Sequence, residues 1–364
     1  MITRLLISMA ALVFVAGLSF AGWWRAEAGE TSAVSGFKVL APIRHGNLTV
    51  FPVVMATSHD TQGFLTLDEG LKSGEVLVTE SGRTPPLVRR RHSEGIPIPA
   101  GDGARVNQLV LVNNSKRPLL LLAGEIVTGG KQDRVIAKDR IVPAESDAID
   151  LGVFCVEPGR WVSTSGKFGG LNMYMAAPSV RSKAMADKDQ EKVWGAVRDA
   201  QSRVAAATPQ AKQEVESTTS YAVVMANKDV KRQVDSVAAP IEAGYRSLIK
   251  ELRDRNAVGV VVAVNGDIIW ADIFASTDLL QKYWPKLVRS YAAEAVVTHV
   301  RGKDVDEKAA EAFLTHMEGR RETVESEPGL YRHTEITGDG FKAFELTSLL
   351  PKTGFDLHVA KMAE

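Results

Sequence analysis

From residue 37 onward the chain carries short apolar runs separated by glycine, proline and asparagine. In its middle third the spacing changes, and apolar residues recur three and four apart. Short bounded runs predict strands, and the wider period predicts amphipathic helices. Strands are expected at residues 47–54 and 75–79, with a short helix at 64–72 between them. Residues 81–102, with Pro85, Pro86, Pro97 and Pro99, read as a loop. Two apolar runs, 106–112 and 118–123, flank Asn113-Asn114-Ser115-Lys116 and predict a hairpin. Residues 149–156 predict a buried strand.

Val193, Trp194, Val197, Ala200 and Val204 mark an amphipathic helix that breaks at Thr208-Pro209. A second helix is expected over 240–255, opened by Pro240, whose missing N–H suits a first turn. Asn265-Gly266 between the runs 258–264 and 267–274 is a strong signal for a tight hairpin. Ser276 is placed to cap a helix carrying Leu279, Leu280, Tyr283, Trp284, Leu287 and Tyr291, which Pro285 either kinks or opens. A further helix at 304–317, two strands near 329–337 and 341–347 joined at Gly338-Asp339-Gly340, and a last strand at 355–359 complete the pattern. The fold class is α+β: a mostly antiparallel, strand-rich core with packed helices, forming one large domain or two close lobes. The segments are a strand-rich half (37–180), a helical segment (181–256) and a hairpin-and-helix half (257–364).

The first residues change the picture. Arg4 is followed by an uncharged, mostly apolar stretch from 5 to 24, and Ala26-Glu27-Ala28 offers a cleavage site. That is the layout of a secretory signal peptide over 1–28, followed by a small polar linker at 29–36. Twenty residues at 1.5 Å each also suffice to cross about 30 Å of hydrocarbon, so an uncleaved inner-membrane anchor is the alternative. Either reading puts the globular part in the periplasm or outside the cell, with membrane contact only through this segment.

Composition narrows the function. Lys plus Arg and Asp plus Glu both number 44, giving zero formal charge, so no nucleic-acid role is indicated. The single cysteine, Cys155, excludes an internal disulfide and multi-cysteine metal sites. The seven histidines are scattered without ligand spacing, there is no Gly-x-Ser-x-Gly elbow, and Gly166 to Gly170 lacks the P-loop pattern. No cofactor or metal is expected, and the oligomeric state stays open.

Two places carry more polar chemistry than packing requires. In LLLLAGEIVTGGKQDR a buried apolar run leads to Glu125, then to glycines and to Lys131, Gln132 and Arg134. In VFCVEPGRW another buried run ends at Glu157, followed by Arg160 and Trp161. Carboxylates at the ends of buried strands need partners. They form a polar pocket, or they are satisfied locally, as by a Glu125–Arg134 pair. If Glu125 and Glu157 share a cleft, they are candidate catalytic residues, dividing acid and base work in a hydrolase. Lys131, Gln132, Arg134, Arg160 and Trp161 are candidate ligand-binding residues. The glycine-rich run at 166–170 reads as a mobile loop over the Trp161 region. Asp272, within IIWADIF, lies between two apolar faces and either anchors an arginine or joins the same site. Cys155 reads as a small buried hydrophobe.

GEIVTGGKQDR, CVEPGRW and VNGDIIWADIF, in that order, resemble the bacterial ARG and rhodanese-phosphatase-associated protein family of the first type. The likeness covers roughly residues 37–300, with an open end toward the C-terminus. The family has no assigned biochemistry, so the resemblance implies only that Glu125, Lys131, Gln132, Arg134, Glu157, Arg160, Trp161 and Asp272 form one set. The leading expectation is an exported binding module for a small anionic or glycan-like ligand. The alternatives are a hydrolase using Glu125 and Glu157, and an envelope scaffold that presents residues 181–256 to a partner protein.

Overall fold

The computed structural model describes residues 36–81, 104–252, 255–297 and 304–364. The N-terminal apolar segment and most of the loop expected at 81–102 lie outside them. The fold is α+β. Among the described residues the strands form three sheets, antiparallel except for one pairing.

The largest has nine strands. Its spatial order is Phe37–Val39, Leu48–Met55, Asn256–Val264, Asp267–Phe274, Asp356–Ala363, Phe341–Ser348, Tyr331–Gly338 and Gly319–Glu327, with Ile43–His45 also paired to Leu48–Met55. Its centre is the hairpin at Asn265-Gly266, where both residues have positive φ (57° and 88°), the geometry of a tight I′ turn. Both faces of its central strands are covered. Val260, Val262, Trp270 and Phe274 pack toward the main core with helices Gln190–Ala207, Lys228–Glu251 and Thr277–Val296. Val261, Ala263, Ala271 and Ile273 pack with Ala310 and Leu314 of helix Glu307–Thr315.

The second sheet runs Phe168–Met175, Glu125–Gly129, Arg134–Ile136, Ile149–Cys155, Gln108–Asn113 and Val76–Glu80. The third is small: Arg140–Val142, Leu119–Leu121 and, in parallel, Leu65–Thr66. Leu109, Leu111, Leu119, Leu121, Val127 and Val153 fill a second core formed from strands of these two sheets.

Several elements depart from the pattern-based reading. The two runs around residues 113–116 do not pair with each other. Gln108–Asn113 pairs with Val76–Glu80 and Ile149–Cys155, while Leu119–Leu121 pairs with Arg140–Val142 and Leu65–Thr66. The turn is real but sends the chain into a different sheet. The buried Asn113 amide donates to Arg117 O and Pro143 O, both at 2.9 Å, and its Oδ1 accepts from Ser115 N at 3.0 Å. Leu119 to Ala123 are all fully buried, as suits a strand covered on both faces.

The helix expected to open at Pro240 begins twelve residues earlier, at Lys228, capped by Asn227 Oδ1. Pro240 and Pro285 both lie inside helices. In each case the residue four positions back, Ser236 or Gln281, is exposed, so water can satisfy the carbonyl that the proline leaves free. The glycine-rich run at 166–170 is not all loop: Phe168, Gly169 and Gly170 pair with Gly129, Thr128 and Val127. The edge strand Gly319–Glu327 (GRRETVESE) has no apolar alternation and is recognisable only by its pairing with Tyr331–Gly338. Its charge suits an open sheet edge, because it discourages further strands from adding.

The helices of 181–256 turn their apolar residues inward: Val193, Val197, Ala200 and Val204 on one, Val230, Val234, Ala238, Ile241 and Tyr245 on the other.

Removing the Asn113 amide orphans two backbone carbonyls and a turn N–H. Asn113→Ala is therefore expected to cost about 2 kcal/mol. In urea unfolding this reads as a lower midpoint with an unchanged slope.

Candidate functional site

The polar residues singled out from sequence fall into three groups, which are held by different partners. The first surrounds Glu157. The chain leaves strand Ile149–Cys155, turns through Pro158 and Gly159 (φ +92°), and brings Arg160 back onto Glu157. The guanidinium grips the carboxylate with both forks, Nε to Oε1 at 2.7 Å and Nη2 to Oε2 at 2.5 Å. Its remaining donor, Nη1, reaches Gly130 O at 3.0 Å and Val162 O at 2.8 Å. Glu157 Oε2 also accepts from Asp133 N at 3.0 Å, and Gln132 Nε2 donates to Glu157 O at 3.1 Å. Asp133 in turn accepts from Gly129 N at 3.0 Å and from Ser220 Oγ at 2.8 Å. Burial pushes the Asp133 carboxyl up, against the Ser220 hydrogen bond, while the fork with Glu157 raises Arg160. This is a fastening between two loops.

The outer side of that fastening is less complete. Trp161 is 42% exposed and lies against two cations, Lys131 Nζ at 4.9 Å and Arg134 Cζ at 5.9 Å from its ring centre. Gly130 takes a left-handed conformation, and an added Cβ there would meet the Phe168 ring and Glu80 Oε1. That close approach lets Lys131 N donate to Glu80 Oε1 at 2.6 Å. Three buried atoms have no hydrogen-bond partner: Glu80 Oε2, Gln132 Oε1 and Arg134 Nη2, although the Glu80 carboxylate attracts the Arg134 guanidinium. Cys155, behind them, is buried and its thiol is pushed up by burial, so it is a poor nucleophile.

The second group surrounds Glu125. Its partner is Lys286, from helix Thr277–Val296, and not Arg134: Nζ lies 2.7 Å from Oε1, while Oε2 accepts from Leu122 N at 2.8 Å. Lys286 also pairs with Asp68 at 2.6 Å. Burial opposes the Lys286 ammonium, but Glu125 and Asp68 outweigh it and raise its pKa. Burial raises Glu125 despite the lysine, because one cation serves two carboxylates and Glu125 is the more deeply buried. Arg134 instead donates Nε to Val106 O at 2.8 Å.

The structure does not bring the two glutamates together. Their networks attach to opposite ends of strand Glu125–Gly129, whose end Cα atoms are roughly 13 Å apart at ~3.3 Å per residue. They share no partner, and Glu157 is already held by a bidentate arginine.

The third group surrounds Asp272. Arg181 Nη1 donates to Oδ2 at 2.9 Å, and the Tyr291 hydroxyl donates to the same oxygen. His358 bridges two carboxylates, Nδ1 to Asp139 Oδ2 at 2.5 Å and Nε2 to Asp272 Oδ1 at 3.0 Å. Arg181 Nε donates to Ala123 O at 2.8 Å, and Ala123 N donates to Asp139 Oδ1 at 2.7 Å. Asp139, Asp272 and His358 have no exposed surface. Burial works against every charge here, yet the partners prevail. Asp139 and Asp272 stay below the usual carboxylate range, and His358 is raised to about 9.

Sequence reasoning named Asp272 but missed Arg181, His358, Asp139 and Lys286. Two left a trace. His358 alternates with Ala360 and Met362 on the inward face of its strand, and Lys286 sits among Tyr283, Trp284 and Leu287 on a helix buried nearly all round. Asp139 left none. Among the described residues, no three His, Cys, Asp or Glu are grouped to hold a metal ion, and no helix is long and apolar enough to cross a membrane.

Residues 36–360 match the ARG and Rhodanese-Phosphatase-superfamily-associated Protein domain. The chain belongs to that family. The match extends beyond the stretch that carried the resemblance and reaches into the C-terminal strand, as far as residue 360, past His358. No curated protein and no solved structure matches the chain.

The buried bridge has a pH signature. His358 is raised from 6.5 to about 9, so its contribution is complete below about 6.5 and is lost as pH rises through 9. The two aspartates are depressed, so theirs is present above about 4 and is lost on acidification. His358→Gln is expected to cost roughly 3–5 kcal/mol. The stability gap to wild type, measured by urea unfolding, should be wide near pH 6 and narrow above pH 9. An equal gap at both pH values would mean that the bridging imidazole is uncharged.

Proposed function

We propose that this protein is an exported binding module that takes a small, hydroxyl-rich, glycan-like ligand at Trp161, Lys131, Gln132 and Arg134. The observation that carries the reading is a half-exposed tryptophan over Arg134, whose buried Nη2 has no hydrogen-bond partner, together with Glu80 Oε2 and Gln132 Oε1, which also lack one. Unpaired buried polar groups are costly and uncommon. Glu80 Oε2 and Gln132 Oε1 accept, whereas Arg134 Nη2 donates. A hydroxyl both donates and accepts, so a sugar edge suits this mixture better than a simple anion does. Trp161 supplies the flat apolar face on which a sugar ring stacks, and Lys131 flanks it.

Trp161 is also the cover. It stands over Arg134 on a loop whose residues 161–167 are exposed, so the ring must swing aside for a ligand to reach the atoms beneath. Glu157 and Arg160 hold that loop's base and serve as positioning residues. Export to the periplasm or beyond rests on the uncharged stretch 5–24 and the Ala26-Glu27-Ala28 site. A hydrolase reading has less support, since its two carboxylates are separately engaged.

The test is a titration of the full-length protein with chitotriose, maltotriose and galacturonate trimers, followed by calorimetry. At least one should bind saturably. Trp161→Ala should then weaken it about tenfold or more, a loss of roughly 1.4 kcal/mol, without lowering the unfolding temperature. Undiminished binding by that variant, or no binding by any of the three sugars, would remove the reading.

A further inference from the structure

Away from the Trp161 surface, a cavity of about 240 Å³ is lined by Ala137, Lys138, Met185, Lys188, His333 and Phe344, with Val324 also in its wall. Its walls come from the turn before strand Arg140–Val142, from the π-helical turn Lys183–Asp187 and the residue after it, and from three strands of the nine-stranded sheet. His333 is only 2% exposed, and both of its ring nitrogens are buried without a hydrogen-bond partner. An imidazole with neither nitrogen satisfied is a polar group waiting for a partner. Its ring stands 6.1 Å from that of Phe344, which with Met185 gives the cavity an apolar side.

The polar side is cationic. Lys138 pairs with Glu325, and Lys188 with Glu335 at 2.6 Å. Neither glutamate lines the cavity. Each ammonium has three donors, so it can hold its glutamate and still offer a hydrogen bond inward. The charges around His333 include Asp139, Lys138, Lys188 and Glu335. Burial and the two lysines prevail and push the imidazole down to about 4. It is therefore neutral at ordinary pH, with one N–H to donate. Lys138 is depressed too, first by burial and then by Arg140 and Lys188, so additional negative charge in the cavity would relieve it.

We infer that this cavity is a binding site for a small monocarboxylate with a compact apolar tail, its head among Lys138, Lys188 and His333 and its tail against Phe344 and Met185. The volume lies below the roughly 300–1,000 Å³ of drug-sized pockets, which restricts the ligand to a molecule about the size of benzoate. Lys138 immediately precedes Asp139, so an occupant would rest on the same turn that carries the buried Asp139–His358 bridge.

The experiment is calorimetric titration of the full-length protein with benzoate, with benzamide as the uncharged counterpart. Benzoate should bind at one saturable site, and benzamide at least tenfold more weakly. The double variant Lys138→Gln/Lys188→Gln should weaken benzoate about tenfold or more. Val324→Trp, at a position 39% exposed on the edge strand, should close the cavity and abolish binding while circular dichroism is unchanged. Trp161→Ala should leave benzoate affinity as in wild type, which separates this site from the sugar-binding surface. Absence of saturable benzoate binding, equal binding of benzamide, or full affinity in Val324→Trp would overturn the assignment.

Discussion

Asp139, His358, Asp272 and Arg181 are buried together, and the rest of the molecule is arranged around that fact. A lone charge at such depth would cost several kcal/mol, and each of these is tolerable only because the others are in place. Asp272 and His358 come from adjacent strands of the nine-stranded sheet. Asp139 precedes a strand of the small sheet, and Arg181 belongs to the short helix Pro178–Ser182. The network therefore holds four separate stretches of chain in register. Arg181 also lies over the Trp270 ring, at 4.7 Å, which shields the one guanidinium nitrogen that lacks an acceptor.

The stretch from Leu122 to Glu125 links this network to its neighbours. Ala123 gives its N–H to Asp139 and its carbonyl to Arg181, while Leu122 N caps Glu125, which is held by Lys286. Gly124 (φ +94°) is needed between them, since an added Cβ there would strike the Arg181 side chain. From Glu125 the strand runs outward to Gly129, where the Arg160 fork takes hold. Buried charge thus fixes one end of the strand and a partly exposed loop fixes the other. That division puts rigid support inside and leaves Trp161 at the surface.

Much of this was legible in the residue pattern. The hairpin at Asn265-Gly266, the helix capped by Ser276 and the strands around 48–55 and 149–155 follow from local turn chemistry and periodicity, which act over a few residues. The expected hairpin at 113–116 fails because the buried Asn113 amide binds Pro143 O, thirty residues away. Glu125, Glu157 and Asp272 stand out as carboxylates beside apolar runs, because an acid in such a place must find a counter-ion. Arg160 lies three residues from Glu157, but the partners of the other two do not stand out. Lys286 lies 161 residues from Glu125, and Arg181 lies 91 from Asp272.

By itself, then, the sequence determined the α+β class, most element types and the fact that three acids had to be neutralised. Hydrophobic spacing and desolvation cost are properties of short stretches and can be read from them. Only the tertiary structure decided that the acids belong to three networks, that Lys286 and Arg181 are the partners of Glu125 and Asp272, and that His333 borders a cavity. Those outcomes depend on which distant strands lie side by side, and no local preference encodes that distance.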